Sequence, residues 1–224
     1  MKTYSQYCGF LTMLSYETSI YFHFTISLNR FCAAWAPFKY PNIFNSKNTL
    51  WMIFTIWVVV GSISYIISLY LCQWKYSHDT NVFEPTDSKQ CRIITWYGDF
   101  VSNSITVTIF MTLDVLTVFK VRKSRLNGNH DSSLVSKREK RFLKQTVTQG
   151  SLFVFELLVF FFVPKFTENR VALFFSGTVA FVAIHMLDGI IVLVCYPESR
   201  SYLFGRNRNR VPNTISVQKS VSKY

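Results

Sequence analysis

The chain has 224 residues, of which 50% are hydrophobic and 17% aromatic, and its formal net charge is +12 at pH 7. A soluble protein with this charge would be expected to bind nucleic acid, but here the basic residues lie between long apolar segments, which favours a membrane protein with no nucleic-acid partner. Residues 49–72 contain no charged side chain, and a helix needs about 20 apolar residues to cross a bilayer core of about 30 Å.

Five apolar segments predict five transmembrane helices, so the predicted fold class is all-α, a polytopic helical membrane bundle. In chain order, the predicted spans are 7–29, 49–72, 93–119, 145–163 and 171–196. A polar loop, 73–90, precedes the third span, and a charged loop, 120–144, follows it. Pro164 is expected to end the fourth span. We predict a membrane domain over residues 1–205 and a disordered cytoplasmic tail over 206–224.

Lysine and arginine residues fall mainly on one side of the predicted bundle. That side carries the loop 120–144 and the tail, which are much richer in these residues than the segments on the other side. Because short loops rich in lysine and arginine stay in the cytoplasm, the N-terminus is expected outside and the C-terminus inside.

The five cysteines form no Cys-x-x-Cys pair and no cluster with histidine that would indicate a metal site. Cys32 and Cys195 fall on the predicted cytoplasmic side, where thiols are reduced. Cys8, Cys72 and Cys91 fall on the outer side and could form one disulfide, with one thiol left over. The sequence predicts no bound metal and no cofactor.

Polar side chains within the spans indicate helix faces that avoid lipid. In span one they recur at helical spacing, at Tyr16, Ser19, His23, Ser27 and Arg30. In span three a similar stripe contains Asp99, Asn103, Thr106, Phe110 and Asp114. We expect both stripes to face the bundle interior, where serine and threonine hydrogen-bond neighbouring helices. For Arg30 and Asp114, a functional role and a structural role both remain open.

Four further polar residues interrupt the apolar spans. They are Glu17 in span one, Glu156 in span four, and His185 and Asp188 on one face of span five. Each could line a cavity or form hydrogen bonds within the bundle. The last three, together with His23, could also hold a metal in an intramembrane hydrolase, but no HExxH-type motif supports that function. We therefore predict that the protein is not an enzyme.

Three motifs carry a family resemblance. They are Ser27-Leu28-Asn29-Arg30-Phe31-Cys32 with Pro37-Phe38-Lys39-Tyr40, then Trp96-Tyr97-Gly98-Asp99-Phe100, and finally His185-x-x-Asp188-Gly189 followed by Pro197-Glu198-x-Arg200. In this order the chain resembles the nematode chemoreceptors called serpentine receptor class X, within the rhodopsin-like G-protein-coupled receptors. The resemblance implies a plasma-membrane receptor, in contact with membrane lipid, whose helices rearrange when an unknown small-molecule or peptide ligand binds. It also implies coupling to a heterotrimeric G protein.

The resemblance assigns roles to individual residues. Asn29, Arg30, Phe31 and Pro37 would form the G-protein-coupling corner, and Arg30 would take the place of the receptor arginine that swings toward the G protein. Asn29 replaces the usual acidic neighbour of that arginine, and Glu139 is expected to be a substitute partner.

The resemblance also bears on the disulfide and on the number of spans. The family pattern favours a bond between Cys72 and Cys91, whereas receptors at large favour a bond from Cys91 to Cys8. Such receptors have seven spans, and span one here matches their third helix, so the five spans would match helices three to seven of a receptor truncated before its third helix. A non-functional fragment is one alternative. The alternative function is a small transporter or channel with a polar-lined helix bundle.

Overall fold

The computed structural model describes residues 2–77, 82–126, 132–167 and 169–195. Within these ranges, the first half contains three helices and two strands, α1 (Lys2–Trp35), α2 (Tyr40–Ile43), α3 (Ser46–Ile66), β1 (Trp74–Tyr76) and β2 (Phe83–Pro85). The described part of the second half contains five helices, α4 (Lys89–Ile93), α5 (Ser102–Leu126), α6 (Ser132–Phe166), α7 (Arg170–Phe174) and α8 (Ala180–Cys195). Three π-helical segments continue or join these helices, at Ile67–Leu71, Ile94–Val101 and Phe175–Val179.

Four of the described helical stretches are long and apolar enough to cross a membrane, namely Ser46–Leu71, Lys89–Ser124, Lys144–Phe166 and Arg170–Cys195. They overlap the last four predicted spans, so the prediction of a helical membrane bundle is confirmed at this level. Helix α1 has 34 residues, but Glu17, His23 and Arg30 interrupt its apolar run. Its length permits a crossing, provided that protein covers its polar face.

The segment 73–90, predicted as a polar loop, contains a short antiparallel hairpin. Strands β1 and β2 pair with Lys75 opposite Glu84. The rings of Tyr76 and Phe83 pack edge to face across the strands, with centroids 5.5 Å apart. Such cross-strand pairs stabilise a hairpin, which the sequence pattern did not indicate.

Helices α5 and α6 extend into the segment predicted as the charged loop 120–144. Helix α5 reaches Leu126 and α6 begins at Ser132, because lysine, arginine and glutamate are good helix formers. Pro164 does not end α6, which runs on for two residues to Phe166, although the proline has no N–H to bond to the carbonyl oxygen of Phe160. The predicted tail lies outside the described residues.

Contacts along α1 show that the long helices alternate in direction. Helices α1 and α5 run parallel, because Glu17 contacts Asn103 and, further along both helices, Ser27 contacts Asp114. Helices α3 and α6 run antiparallel to α1, and α8 runs parallel to it.

The two ends of the bundle differ in structure. At one end, β1 packs so closely on α1 that a Cβ added at Gly9 would lie 2.6 Å from the carbonyl oxygen of Trp74. At the other end, the ammonium group of Lys120 lies 5.0 Å from the centre of the Trp35 ring. We name these the hairpin end and the basic end.

The apolar core lies between the two ends. Its buried residues are Tyr16, Ile20, Val107, Phe110 and Phe153. They belong to α1, α5 and α6, which therefore form the centre of the bundle. Helix α3 instead exposes most of its large apolar side chains, and α8 exposes about half of its own, as helices that face lipid do.

Candidate functional site

Polar side chains from α1, α5 and α6 meet near the basic end. Asp114 is only 2% exposed, and its Oδ2 accepts hydrogen bonds from Ser27 Oγ at 2.8 Å and from Thr146 Oγ1 at 3.1 Å. Arg30 Nη1 lies 3.9 Å from Asp114 Oδ1. One carboxyl group thus joins three helices, and Arg30 supplies the opposite charge. We name these four residues the inner cluster.

A cavity of about 260 Å³ adjoins the inner cluster. Its walls include Arg30, Asp114, Gln145 and Val192, which bring together α1, α5, α6 and α8. A space of this size gives the long side chain of Arg30 room to change its position while the helices remain packed.

A second set of polar contacts lies on the core side of the inner cluster. His23 Nε2 lies 3.0 Å from Asp188 Oδ2, and Gln149 Nε2 donates a hydrogen bond to Asp188 Oδ1 at 2.7 Å. The His23 ring also packs against Phe110 and Phe153. The pair of hydrogen bonds therefore ties α1, α6 and α8 together directly beside the apolar core.

A third set lies toward the hairpin end. Asn103 Nδ2 donates to Glu17 Oε1 at 3.0 Å and to Asp99 Oδ1 at 2.9 Å. Two carboxyl groups from different helices therefore share one amide nitrogen. Asp99 and Asn103 are buried, with 8% and 1% of their surface exposed.

Glu156 on α6 belongs to the same region. Its Oε1 lies 3.3 Å from His185 Nε2, but no hydrogen bond reaches either Glu156 oxygen from the described part of the chain. The rings of Tyr16 and Phe181 pack against the His185 ring, with centroids 5.9 and 4.5 Å away. We name Glu17, Asp99, Asn103 and Glu156 the outer cluster.

Two cavities flank the outer cluster. The first has a volume of about 180 Å³, and its lining includes Tyr16, Asp99 and Glu156. The second has a volume of about 460 Å³, lies against α3, and includes Glu17 and Asp99 in its lining. Met13, Trp74 and Asp99 line both cavities, which adjoin along these residues.

A disulfide between Cys72 and Cys91 closes the hairpin end. It joins the end of the Ile67–Leu71 segment to α4, so that β1 and β2 lie on the loop between the two cysteines. The first residue of β1 lines both outer cavities, and the bond therefore restrains the wall of the cavities. Cys8 is a free, exposed thiol.

The residues assigned to the coupling corner lie where α1 ends. Asn29 Oδ1 is buried without a hydrogen bond from any described residue. The Phe31 ring stacks on the Trp35 ring, with centroids 5.5 Å apart, and Pro37 is exposed in the turn that follows. Glu139 lies outside the residues whose side chains the structure describes, and its pairing with Arg30 stays a prediction.

The four side chains considered as metal ligands separate into two pairs. His23 meets Asp188, and Glu156 meets His185. In the described ranges, no group of three histidine, cysteine or acidic residues is arranged to hold a metal ion.

Three buried residues of α6 were not among the predicted site residues. They are Gln145, Thr146 and Gln149, which lie at the inner cavity or in its hydrogen bonds. Their spacing could have identified them, because Gln149, Phe153 and Glu156 continue one face of the same helix.

Comparison with known proteins identifies relatives for most of the chain. A family model described as "Serpentine type 7TM GPCR chemoreceptor Srx" matches residues 1–196. The chain is 29% identical to Serpentine receptor class X 45 of Caenorhabditis elegans over 95% of its own length and 64% of that relative. It is 28% identical to Serpentine receptor class X-43 of the same organism, over 82% of the chain and 59% of the relative. The chain thus spans about three fifths of the length of the curated relatives it matches.

Proposed function

Because the chain belongs to the Srx family of serpentine chemoreceptors, we propose that it is a chemosensory receptor that couples a ligand to a heterotrimeric G protein. The ligand binds in the outer cavities and shifts the helices between two arrangements. The change opens the basic end beside Arg30, so that a helix of the G protein can enter.

The observation that carries this proposal is the contact between Arg30 and Asp114. It holds the end of α1 to α5 at the basic end, beside a cavity into which the Arg30 side chain can move. Asp114 therefore supplies the acidic partner that Asn29 does not provide. Separation of α1 from α5 would release Arg30 toward the G protein.

The hydrogen bonds of His23, Gln149 and Asp188 support the proposal that a helix movement at the hairpin end reaches the basic end. They join α1, α6 and α8 between the outer cavities and Arg30. A ligand that moves α6 or α8 at the hairpin end would therefore change the packing of α1. The proposed coupling passes through contacts that connect all three helices.

We further propose that α1 is a fifth membrane span, and that the five spans correspond to helices three to seven of a seven-helix receptor. A helix of 34 residues extends about 50 Å, which exceeds the bilayer core of about 30 Å. Its contacts with α3 and α5 run along both halves of its length. Three of its interior polar side chains, Glu17, His23 and Arg30, contact polar groups of α5 or α8.

The proposed orientation has the hairpin end outside and the basic end in the cytoplasm of a cell whose plasma membrane holds the receptor. The charge distribution supports it, since the loop 120–144 is rich in lysine and arginine. The bond between Cys72 and Cys91 supports it too, because disulfides persist on the outer side of the membrane.

The channel or transporter alternative has less support. Tyr16, Ile20, Val107, Phe110 and Phe153 pack together between the outer and inner cavities, so an apolar core rather than an open path separates the two sets of cavities. A receptor needs no such path.

Substitution of Arg30 tests the proposal. Arg30→Ala should abolish G-protein signalling in a cell reporter assay while surface expression stays normal, because the charged group that meets the G protein is lost. Arg92→Ala, which removes an exposed arginine at the hairpin end, is the matched control and should signal normally. Unchanged signalling by Arg30→Ala would refute the assignment.

A further inference from the structure

The outer cavities contain acidic side chains without basic ones. Glu17 and Asp99 line the larger cavity, and Asp99 and Glu156 line the smaller. Neither lining includes a lysine, an arginine or a histidine among the described residues. The nearby Lys165 lies over the rings of Trp96 and Phe162 instead.

Glu156 provides the strongest evidence for a ligand site. It is 95% buried, since only 5% of its surface is exposed, and it lines the smaller cavity without accepting a hydrogen bond from a described residue. His185 lies 3.3 Å from Oε1, which leaves Oε2 with no polar contact in the described structure. A buried carboxylate in this condition is costly unless a cation or a donor satisfies it.

The remaining walls of the smaller cavity are aromatic. Tyr16, Trp74, Phe83, Phe160, Phe161 and Phe181 contribute to its lining. Aromatic faces attract organic cations through their quadrupoles, and the attraction is stronger where water is excluded. A metal ion would gain little from such walls, whereas an alkylated or aryl ammonium group would contact both the rings and the carboxyl groups.

We propose that the ligand of these cavities is a small organic cation with an apolar body. The ammonium group lies between Glu156 and Asp99, and the apolar part extends along the aromatic wall or into the larger cavity against α3. This inference rests on the proposed receptor function, because it names the ligand class of the same site. It extends that function by predicting which chemicals the receptor detects.

Binding of matched probes tests the proposal. The full chain in phosphatidylcholine nanodiscs is titrated with radiolabelled benzyltrimethylammonium, octyltrimethylammonium and naphthylmethyltrimethylammonium. Neopentylbenzene, the uncharged carbon isostere of the first probe, competes for the site. We expect saturable binding of at least one cation and no competition by the isostere at equal concentration, because only the charge distinguishes the two compounds.

Substitutions locate the site. Glu156→Gln and Asp99→Asn should each weaken cation binding about 10-fold to 100-fold, the loss expected for a hydrogen-bonded charged contact. Asp87→Asn removes the same charge from an exposed loop at the hairpin end and should change affinity less than about twofold. A monodisperse profile in size-exclusion chromatography, with the disulfide intact, shows that a variant is folded. If one of the two acidic variants fails to fold, the other still tests the site.

Three results would overturn the cation site. They are equal competition by neopentylbenzene, undiminished binding in both acidic variants, and no saturable binding of any of the three probes. Arg30→Ala should retain cation binding, since Arg30 lies at the other end of the bundle. Saturable binding without any G-protein response would instead refute the receptor function and leave the cation site standing, so the two failures are distinguishable.

Discussion

Under the proposed receptor function, replacing Asp114 with asparagine should raise basal signalling. Asparagine has nearly the same shape and can still pair with Ser27 and Thr146, so the packing of α1, α5 and α6 is retained. The substitution removes the negative charge that lies 3.9 Å from Arg30 Nη1. Arg30 then spends more time away from α5, in the position proposed to meet the G protein.

The size of the effect follows from the geometry. At 3.9 Å and an effective dielectric constant of about 20, two opposite unit charges attract by about 4 kcal/mol before any cost of desolvation. Burial of both groups offsets much of this attraction. We therefore expect the substitution to reduce the free-energy difference that favours the inactive arrangement by about 1 to 2 kcal/mol. This corresponds to a roughly 5-fold to 30-fold increase in the ratio of active to inactive receptor.

The assay compares ligand-independent reporter activity at equal surface expression. Thr117→Val is a control on the same helix, since the Thr117 hydroxyl is buried but donates only to the carbonyl oxygen of Leu113 in its own helix. It should leave basal activity unchanged. Basal activity of Asp114→Asn equal to that of the wild type, at normal surface expression, would show that this carboxylate does not restrain Arg30.

Three further predictions concern the hairpin end. Gly9→Ala should lower the free energy of unfolding in detergent by about 1 to 3 kcal/mol, because its new Cβ would lie 2.6 Å from a backbone oxygen of β1. Gly61→Ala is the control, since its Cβ would lie in ordinary contact at 3.9 Å. Equal melting temperatures of the two variants would contradict the close packing at Gly9. Peptide mapping under non-reducing conditions should recover Cys91 linked to Cys72, and recovery of a link to Cys8 would contradict the structure. In intact cells, a membrane-impermeant maleimide should label Cys8, and the label should disappear in a Cys8→Ser variant; labelling that requires permeabilised cells would reverse the proposed orientation.

The sequence predicts the buried faces of the helices better than it predicts the partners on those faces. Ser27, Arg30 and Asp114 were expected to face the interior from their helical spacing, and the structure joins them in one cluster. The spacing contains no information on which helix lies opposite, so Thr146 and Gln149 were not assigned as the partners of Asp114 and Asp188. Their positions depend on how α6 is rotated and how far it slides along α5, which tertiary packing decides.

Local structure at the hairpin end was predicted less well for a different reason. Hydropathy reports the length of an apolar run. The predicted span 49–72 begins three residues after the observed span Ser46–Leu71 and ends one residue after it. Short strands such as β1 and β2 have too few residues to give an alternating pattern. Their pairing depends on the disulfide between Cys72 and Cys91 and on close contact with α1. Both are contacts between residues that are far apart in the sequence.

Nucleotide exchange by a purified G protein tests the central claim most directly. The full chain in nanodiscs should accelerate GTP loading of a heterotrimeric G protein, and the cation that binds the outer cavities should increase the rate further. Arg30→Ala should bind the same cation without accelerating exchange. Equal exchange rates for the wild type and Arg30→Ala, together with cation flux through liposomes that contain the wild-type chain, would contradict the receptor account and favour a transporter.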